Sequence, residues 1–175
     1  LISSTEGVDA NGGAIYARDG NVTISDSFFS GGGTVKSDSN GGALYIRNGQ
    51  LAVTNTIISA NFLQGGSSQG AGIYSYAGAG EQTTVTLTDS IVSGNTSIGP
   101  FSAGTGISNW NSNVTLHSTI VSGNSSLGTL SGGAGIYQAG GTLTIHDSLV
   151  AQNTTAGAYS DGGGIANSVF SFLRN

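Results

Sequence analysis

The segment Gly12-Gly13-Ala14-Ile15-Tyr16 returns as Gly41-Gly42-Ala43-Leu44-Tyr45 and as Gly70-Ala71-Gly72-Ile73-Tyr74. Later copies read Gly104-Thr105-Gly106-Ile107, Gly133-Ala134-Gly135-Ile136-Tyr137 and Gly162-Gly163-Gly164-Ile165. The apolar anchors fall at 15, 44, 73, 107, 136 and 165, which are 29 residues apart except for one interval of 34. Self-similarity at such a period marks a repeat architecture. One unit of this size cannot bury its apolar face alone, so successive units must stack into a continuous core.

Within each unit, a second apolar segment follows the anchor: Val22-Thr23-Ile24, Leu51-Ala52-Val53, Val85-Thr86-Leu87, Val114-Thr115-Leu116 and Leu143-Thr144-Ile145. The third copy starts five residues late, which places its extra residues in the loop from Ser75 to Thr84. A third segment comes next, as Phe28-Phe29, Ile57-Ile58, Ile91-Val92, Ile120-Val121 and Leu149-Val150. Period-two alternation with Gly, Asn, Asp and Ser between the segments reads as three short strands per unit, each with one buried face. The expectation is an all-β, single-stranded parallel β-helix, a solenoid of about six coils. It forms one domain over 1–175, with incomplete coils at 1–11 and 165–175. Successive coils should lie about 4.8 Å apart, so equivalent residues form columns.

Charged residues make up 7% of the chain, and Lys and Arg number four against nine Asp and Glu. Nucleic-acid binding needs clustered basic side chains to displace counterions, so that partner is excluded. There is no cysteine and therefore no disulfide framework. No apolar run approaches the ~18 residues of a membrane span, so no membrane insertion is expected. A surface made polar by Ser, Thr, Asn and Gly suits an extracellular or cell-surface location.

The units Gly-Gly-Ala-Ile-Tyr, Leu-Thr-Ile-x-Asp-Ser and Ile-Val-Ser-Gly-Asn resemble those of right-handed parallel β-helix proteins. They are similar to the repeats of polymorphic outer-membrane autotransporter passengers, and to extracellular β-helix proteins related in fold to pectate lyases. The resemblance covers nearly the whole chain. It implies a right-handed coil and an extracellular setting, but no single function, because such scaffolds host lyases, hydrolases, adhesins and inert stalks.

The two chain ends match each other. Leu1-Ile2-Ser3-Ser4 aligns with the third strand of a unit, and Phe170 to Asn175 aligns with the second. Joining one copy's end to another's start completes a coil. The first functional expectation is therefore a structural protein, a head-to-tail fibre of identical subunits held by Leu1, Ile2, Phe170, Phe172, Leu173 and Asn175. A heterologous contact that does not close gives an open filament. The alternative is an adhesin or passenger segment that binds carbohydrate. A polysaccharide lyase or hydrolase ranks third, and the chain is read as no enzyme.

Several columns carry these expectations. Asn61, Asn95, Asn124 and Asn153 form an Asn ladder that satisfies turn backbone groups. Three of them, Asn95, Asn124 and Asn153, also fit the N-x-[ST] pattern, but an inward ladder amide cannot carry a glycan. Asn21 and Asn113 fit the same pattern in turns and are the candidate glycan acceptors. Tyr16, Tyr45 and Tyr74 share a column, with Tyr137 further along. Stacked rings stabilise neighbouring strands, and they also offer a candidate sugar platform. The Thr row Thr23, Thr86, Thr115 and Thr144 is like those of ice-binding solenoids but is broken at Ala52, and by His117 and His146 beside it. Those two histidines lack the further ligand a zinc site needs. Asp26, Asp89 and Asp147 form a column interrupted by Asn55 and Ser118, which a turn explains without calcium. Arg18, Arg47 and Asp19 make no paired-carboxylate centre. No metal and no cofactor is expected.

Overall fold

A computed structural model describes residues 11–168. The six anchors stack in parallel register, Ile15 on Leu44, Ile73, Ile107, Ile136 and Ile165 in turn, which winds the described chain through about five turns of a parallel β-solenoid. The residues assigned above to fibre contacts, Leu1, Ile2, Phe170, Phe172, Leu173 and Asn175, lie outside the described residues.

Three parallel sheets wrap the core. Sheet A has nine strands and carries both the anchor segments and the second segments. In the first three coils these are separate, as Ile15–Arg18 and Asn21–Ser25, Leu44–Arg47 and Gln50–Thr54, Ile73–Tyr76 and Thr84–Thr88. In the next two they fuse into single strands, Ile107–His117 and Ile136–His146, whose register skips Asn111 and Gly140. Sheet B stacks Phe28–Ser30, Ile57–Ser59, Ile91–Ser93, Ile120–Ser122 and Leu149–Ala151. Sheet C stacks pairs that the apolar pattern did not mark: Gly33–Thr34, Phe62–Leu63, Thr96–Ser97, Ser125–Ser126 and Thr154–Thr155. The coil thus has three faces as expected, but two expected strands share one face and the third face is a short, largely hydroxylic strand.

The corners explain the polar columns. Between sheets A and B, Asp26, Asn55, Asp89, Ser118 and Asp147 all have φ of 47–49°. Asp and Asn tolerate this left-handed region best among residues with a side chain. The residue after each corner is Ser or Thr, and its hydroxyl donates to the carbonyl two residues back, as in Ser90 Oγ to Thr88 O at 2.7 Å. The same oxygen accepts an N–H from the previous coil, as in Thr56 N to Ser90 Oγ at 3.2 Å. Just before each anchor, Gly12, Gly41, Gly70, Gly104, Gly133 and Gly162 have φ between 53 and 69°. A Cβ added there would fall within 2.7 Å of the anchor's own carbonyl oxygen, so only glycine fits.

Between sheets B and C runs the Asn ladder. The Oδ1 atoms of Asn95, Asn124 and Asn153 each accept both the main-chain N–H and the Nδ2 of the preceding coil's Asn, as Asn95 N and Nδ2 lie 3.1 and 2.8 Å from Asn124 Oδ1, and Asn61 Oδ1 accepts from Gly32 N at 3.0 Å. Each Nδ2 also reaches back to a sheet B carbonyl, as Asn124 does to Val92 O at 3.1 Å. Inside, Leu44, Ile73, Ile107 and Ile136 form one buried column, and Leu87 and Leu116 belong to another. Under sheet C the lumen is lined by the buried hydroxyls of Thr34, Ser97 and Ser126 beside the apolar Leu63.

Candidate ligand-binding groove

The corner between sheet C and the next anchor again uses one left-handed residue per coil: Asp38, Ser67, Phe101, Leu130 and Tyr159, with φ of 56–59°. That backbone points the side chain outward. In the last three of these coils the side chain is large and apolar, and Tyr159 is 86% exposed. Phe101, Leu130 and Tyr159 therefore stand as a wall along the rod axis.

The facing wall comes from sheet A. Trp110 and Tyr137 project outward from neighbouring strands, with ring centroids 5.8 Å apart and planes tilted by 47°. Gln69 fixes the indole, because its Oε1 accepts from Trp110 Nε1 and also from Ser108 Oγ. Between the walls runs a row of bridged residues, Gln69, Ala103, Gly132 and Asp161. Ala103 and Gly132 are small, which gives the row its depth. The result is a groove of about 560 Å³, inside the range of small-molecule sites. Among the described residues its ionisable groups are Asp161 and the phenols of Tyr137 and Tyr159.

The Tyr column is a ladder packed against itself. Tyr16 and Tyr45 stack at 4.8 Å and 26°, and Tyr45 and Tyr74 follow at 5.1 Å and 37°. Tyr45 and Tyr74 are only 8% and 7% exposed. Their faces meet each other, whereas a sugar ring would need a free face. Arg47 lies over the Tyr76 ring, 5.2 Å from its centroid. Burial pushes the Tyr74 hydroxyl far above the ordinary tyrosine value, with Tyr45 and Tyr76 adding and Arg47 opposing. Tyr45 is raised for the same first cause, with Tyr16 adding. A raised phenol stabilises the fold fully below its unfolded value, about 10, and that contribution is lost as pH rises through the folded value. Alkaline unfolding followed by circular dichroism should therefore begin above pH ~10, and Tyr45→Phe with Tyr74→Phe should move its midpoint upward. An unmoved midpoint would detach these phenols from stability.

Asn95 and Asn124 are buried, and the Nδ2 atoms of Asn95, Asn124 and Asn153 all donate within the ladder. Asn21 and Asn113 are exposed on sheet A. Their Oδ1 atoms accept from Gln50 N at 3.2 Å and Thr142 N at 3.1 Å. His117 and His146 are register partners on the exposed face. Among the described residues no three His, Cys, Asp or Glu side chains gather as a metal site. Arg18 pairs with its neighbour Asp19, Nε to Oδ2 at 3.2 Å. The inserted loop is held by Asn48, whose Oδ1 accepts from Gly78 N at 2.9 Å and whose Nδ2 donates to Asp19 Oδ1 at 3.0 Å.

Sequence reasoning passed over Phe101, Trp110, Leu130 and Tyr159. Trp110 is the single tryptophan of the chain and sits at an outward strand position, which was the available signal. Fold and groove together define a parallel β-solenoid with a lateral aromatic groove. No family model, no curated protein and no solved structure matches the chain.

Proposed function

We propose that this chain is a non-catalytic, extracellular β-solenoid module that holds a neutral carbohydrate chain in the lateral groove. The groove's aromatic walls carry the reading. Phe101, Trp110, Tyr137 and Tyr159 offer apolar ring faces and edges on both sides of an open trough, the chemistry that the C–H faces of sugars recognise. Aromatic surfaces with polar handles combine contact area with hydrogen bonding. Gln69, Asn167 and Asp161 supply acceptors and donors for hydroxyls. Asp161 brings negative charge to the groove, and among the described residues its lining includes no Lys or Arg, which favours neutral sugars over uronates. The setting matches the resemblance to autotransporter-passenger repeats. End-to-end stacking of such modules is supported by the uniform register, which continues through Ile165–Ser168 on Ile136–Ala139.

A panel of neutral and acidic oligosaccharides tested by glycan array and calorimetry checks this. Neutral chains should bind, and Trp110→Ala should weaken binding at least ~10-fold, the equivalent of about 1.4 kcal/mol, with the circular dichroism spectrum unchanged. Absence of any neutral ligand, or a Trp110→Ala variant that binds as well, would remove the proposal.

A further inference from the structure

Sheet B carries an unusual outer face. Its inward residues Phe29, Ile58, Val92, Val121 and Val150 belong to the core. Yet the outward position before each of them is also large and apolar: Phe28, Ile57, Ile91, Ile120 and Leu149. Phe28 is 66% exposed and Leu149 54%. All five stack in register, forming a straight ridge about 19 Å long at the coil spacing. The outward position after each core residue is small: Ser30, Ser59, Ser93, Ser122 and Ala151. A shallow furrow therefore runs parallel to the ridge, and no residue of either column is charged. Five large apolar side chains in one uncharged column form a contiguous exposed strip, and contiguous apolar surface of this kind marks interaction sites when it is extensive.

We infer that the occupant of this face is a second copy of the chain, docked side by side with its rod axis parallel to the first. Three observations select it. The ridge has the coil period of about 4.8 Å, and a partner built on the same repeat keeps its side chains in step along the whole strip. Ridge and furrow are complementary to each other: a two-fold axis along the rod reverses left and right on the partner, so each ridge settles into the other's furrow. Charge decides the direction. The ridge is flanked on one side by Asp26, Asp89 and Asp147, and on the furrow side by the uncharged corner Gly31, Ala60, Gly94, Gly123 and Gln152. The parallel arrangement sets each Asp column against that uncharged corner. An antiparallel one would set Asp against Asp and ridge against ridge. The contact is isologous, the same patch on both copies. A ridge of about 19 Å is short for an interface of the standard ~800 Å² per partner, so the dimer is a reversible one.

Sedimentation velocity with light scattering, from about 5 to about 500 μM, tests the pairing in the range a low-end interface occupies. The chain should pass from monomer to dimer across that range. Ile57→Lys with Ile120→Lys should shift the transition at least ~10-fold upward in concentration. Both residues face outward, and an unchanged circular dichroism spectrum and melting temperature would show that the coil is intact. Thr86→Lys, on the outer face of sheet A, should leave the transition in place. A monomer at every concentration would overturn the inference, and so would association that survives the double substitution or grows beyond a dimer, which would point to end-to-end contacts instead. Glycan binding does not enter this measurement, so its outcome is separate from that of the groove.

Discussion

Asn124→Ala should lower the unfolding free energy by about 4 kcal/mol, from three buried groups losing partners at 1–3 kcal/mol each. The main-chain N–H and the Nδ2 of Asn95 both end on Asn124 Oδ1, at 3.1 and 2.8 Å, and Val92 O accepts Asn124 Nδ2 at 3.1 Å. Asn95 and Asn124 have no solvent exposure, so water cannot replace these bonds without opening the corner. Equilibrium urea denaturation reads the change directly. Asn124→Asp separates the two halves of the amide: it keeps the acceptor for Asn95 but turns a carboxylate toward Val92 O. That variant should recover stability as the pH falls and the carboxyl gains a proton. A loss below about 1 kcal/mol for the alanine variant would mean that the ladder is an ordinary set of hydrogen bonds.

A larger loss is expected from a single methyl group. At Gly128 an added Cβ would sit 1.8 Å from Gly99 O. The same column gives 1.9 Å for Gly99 against Gly65 O and 1.8 Å for Gly157 against Gly128 O. In this column the Cβ direction runs along the rod axis into the backbone of the previous coil. No rotamer change relieves such a contact; the coils would have to separate and give up stacking on every face. Gly128→Ala should therefore exceed about 4 kcal/mol, in the exceptional tail for point substitutions, and lower the yield of folded protein. Ala139→Gly, at a position where a Cβ is already accommodated, is the companion control, expected to cost about 1 kcal/mol, the ordinary penalty for glycine inside a strand. Thermal melting of the two variants side by side compares them. Equal melting temperatures would show that the coils can slide apart cheaply.

How much of this was readable in the sequence depended on whether a position is the same in every coil. The anchor column and the sheet B column are apolar in each unit, so their period of 29 residues announced both strands and core. The Asn ladder was legible for a similar reason, with Asn in four successive coils after Gly32 in the first. Sheet C was not, because its inward residue varies as Thr34, Leu63, Ser97, Ser126 and Thr155, and a two-residue strand has no alternation to display. The sharing of sheet A by two segments was hidden by turn residues such as Asp19-Gly20 and Asn48-Gly49. These look like chain reversals but only kink the strand path. The groove was hardest to foresee. Its outer wall occupies a column that reads Asp38, Ser67, Phe101, Leu130 and Tyr159, so no repeat flags it. Only the shared left-handed backbone shows that all five point the same way. The Tyr column had the opposite history: it was conspicuous in the sequence because it repeats, and it repeats because its rings pack on one another.

The rows of main-chain hydrogen bonds between coils lie along the rod. A tensile load applied along that direction therefore meets them in series, one coil after another, instead of all together. Each coil that lets go frees about 100 Å of contour, 29 residues at the reach of an extended chain. The fused strands Ile107–His117 and Ile136–His146 join over ten pairs of residues on that face, and the interrupted strands of the earlier coils keep almost the same register across their turn. Under such a load the rod yields stepwise, lengthening by one coil's contour at a time instead of snapping open at once.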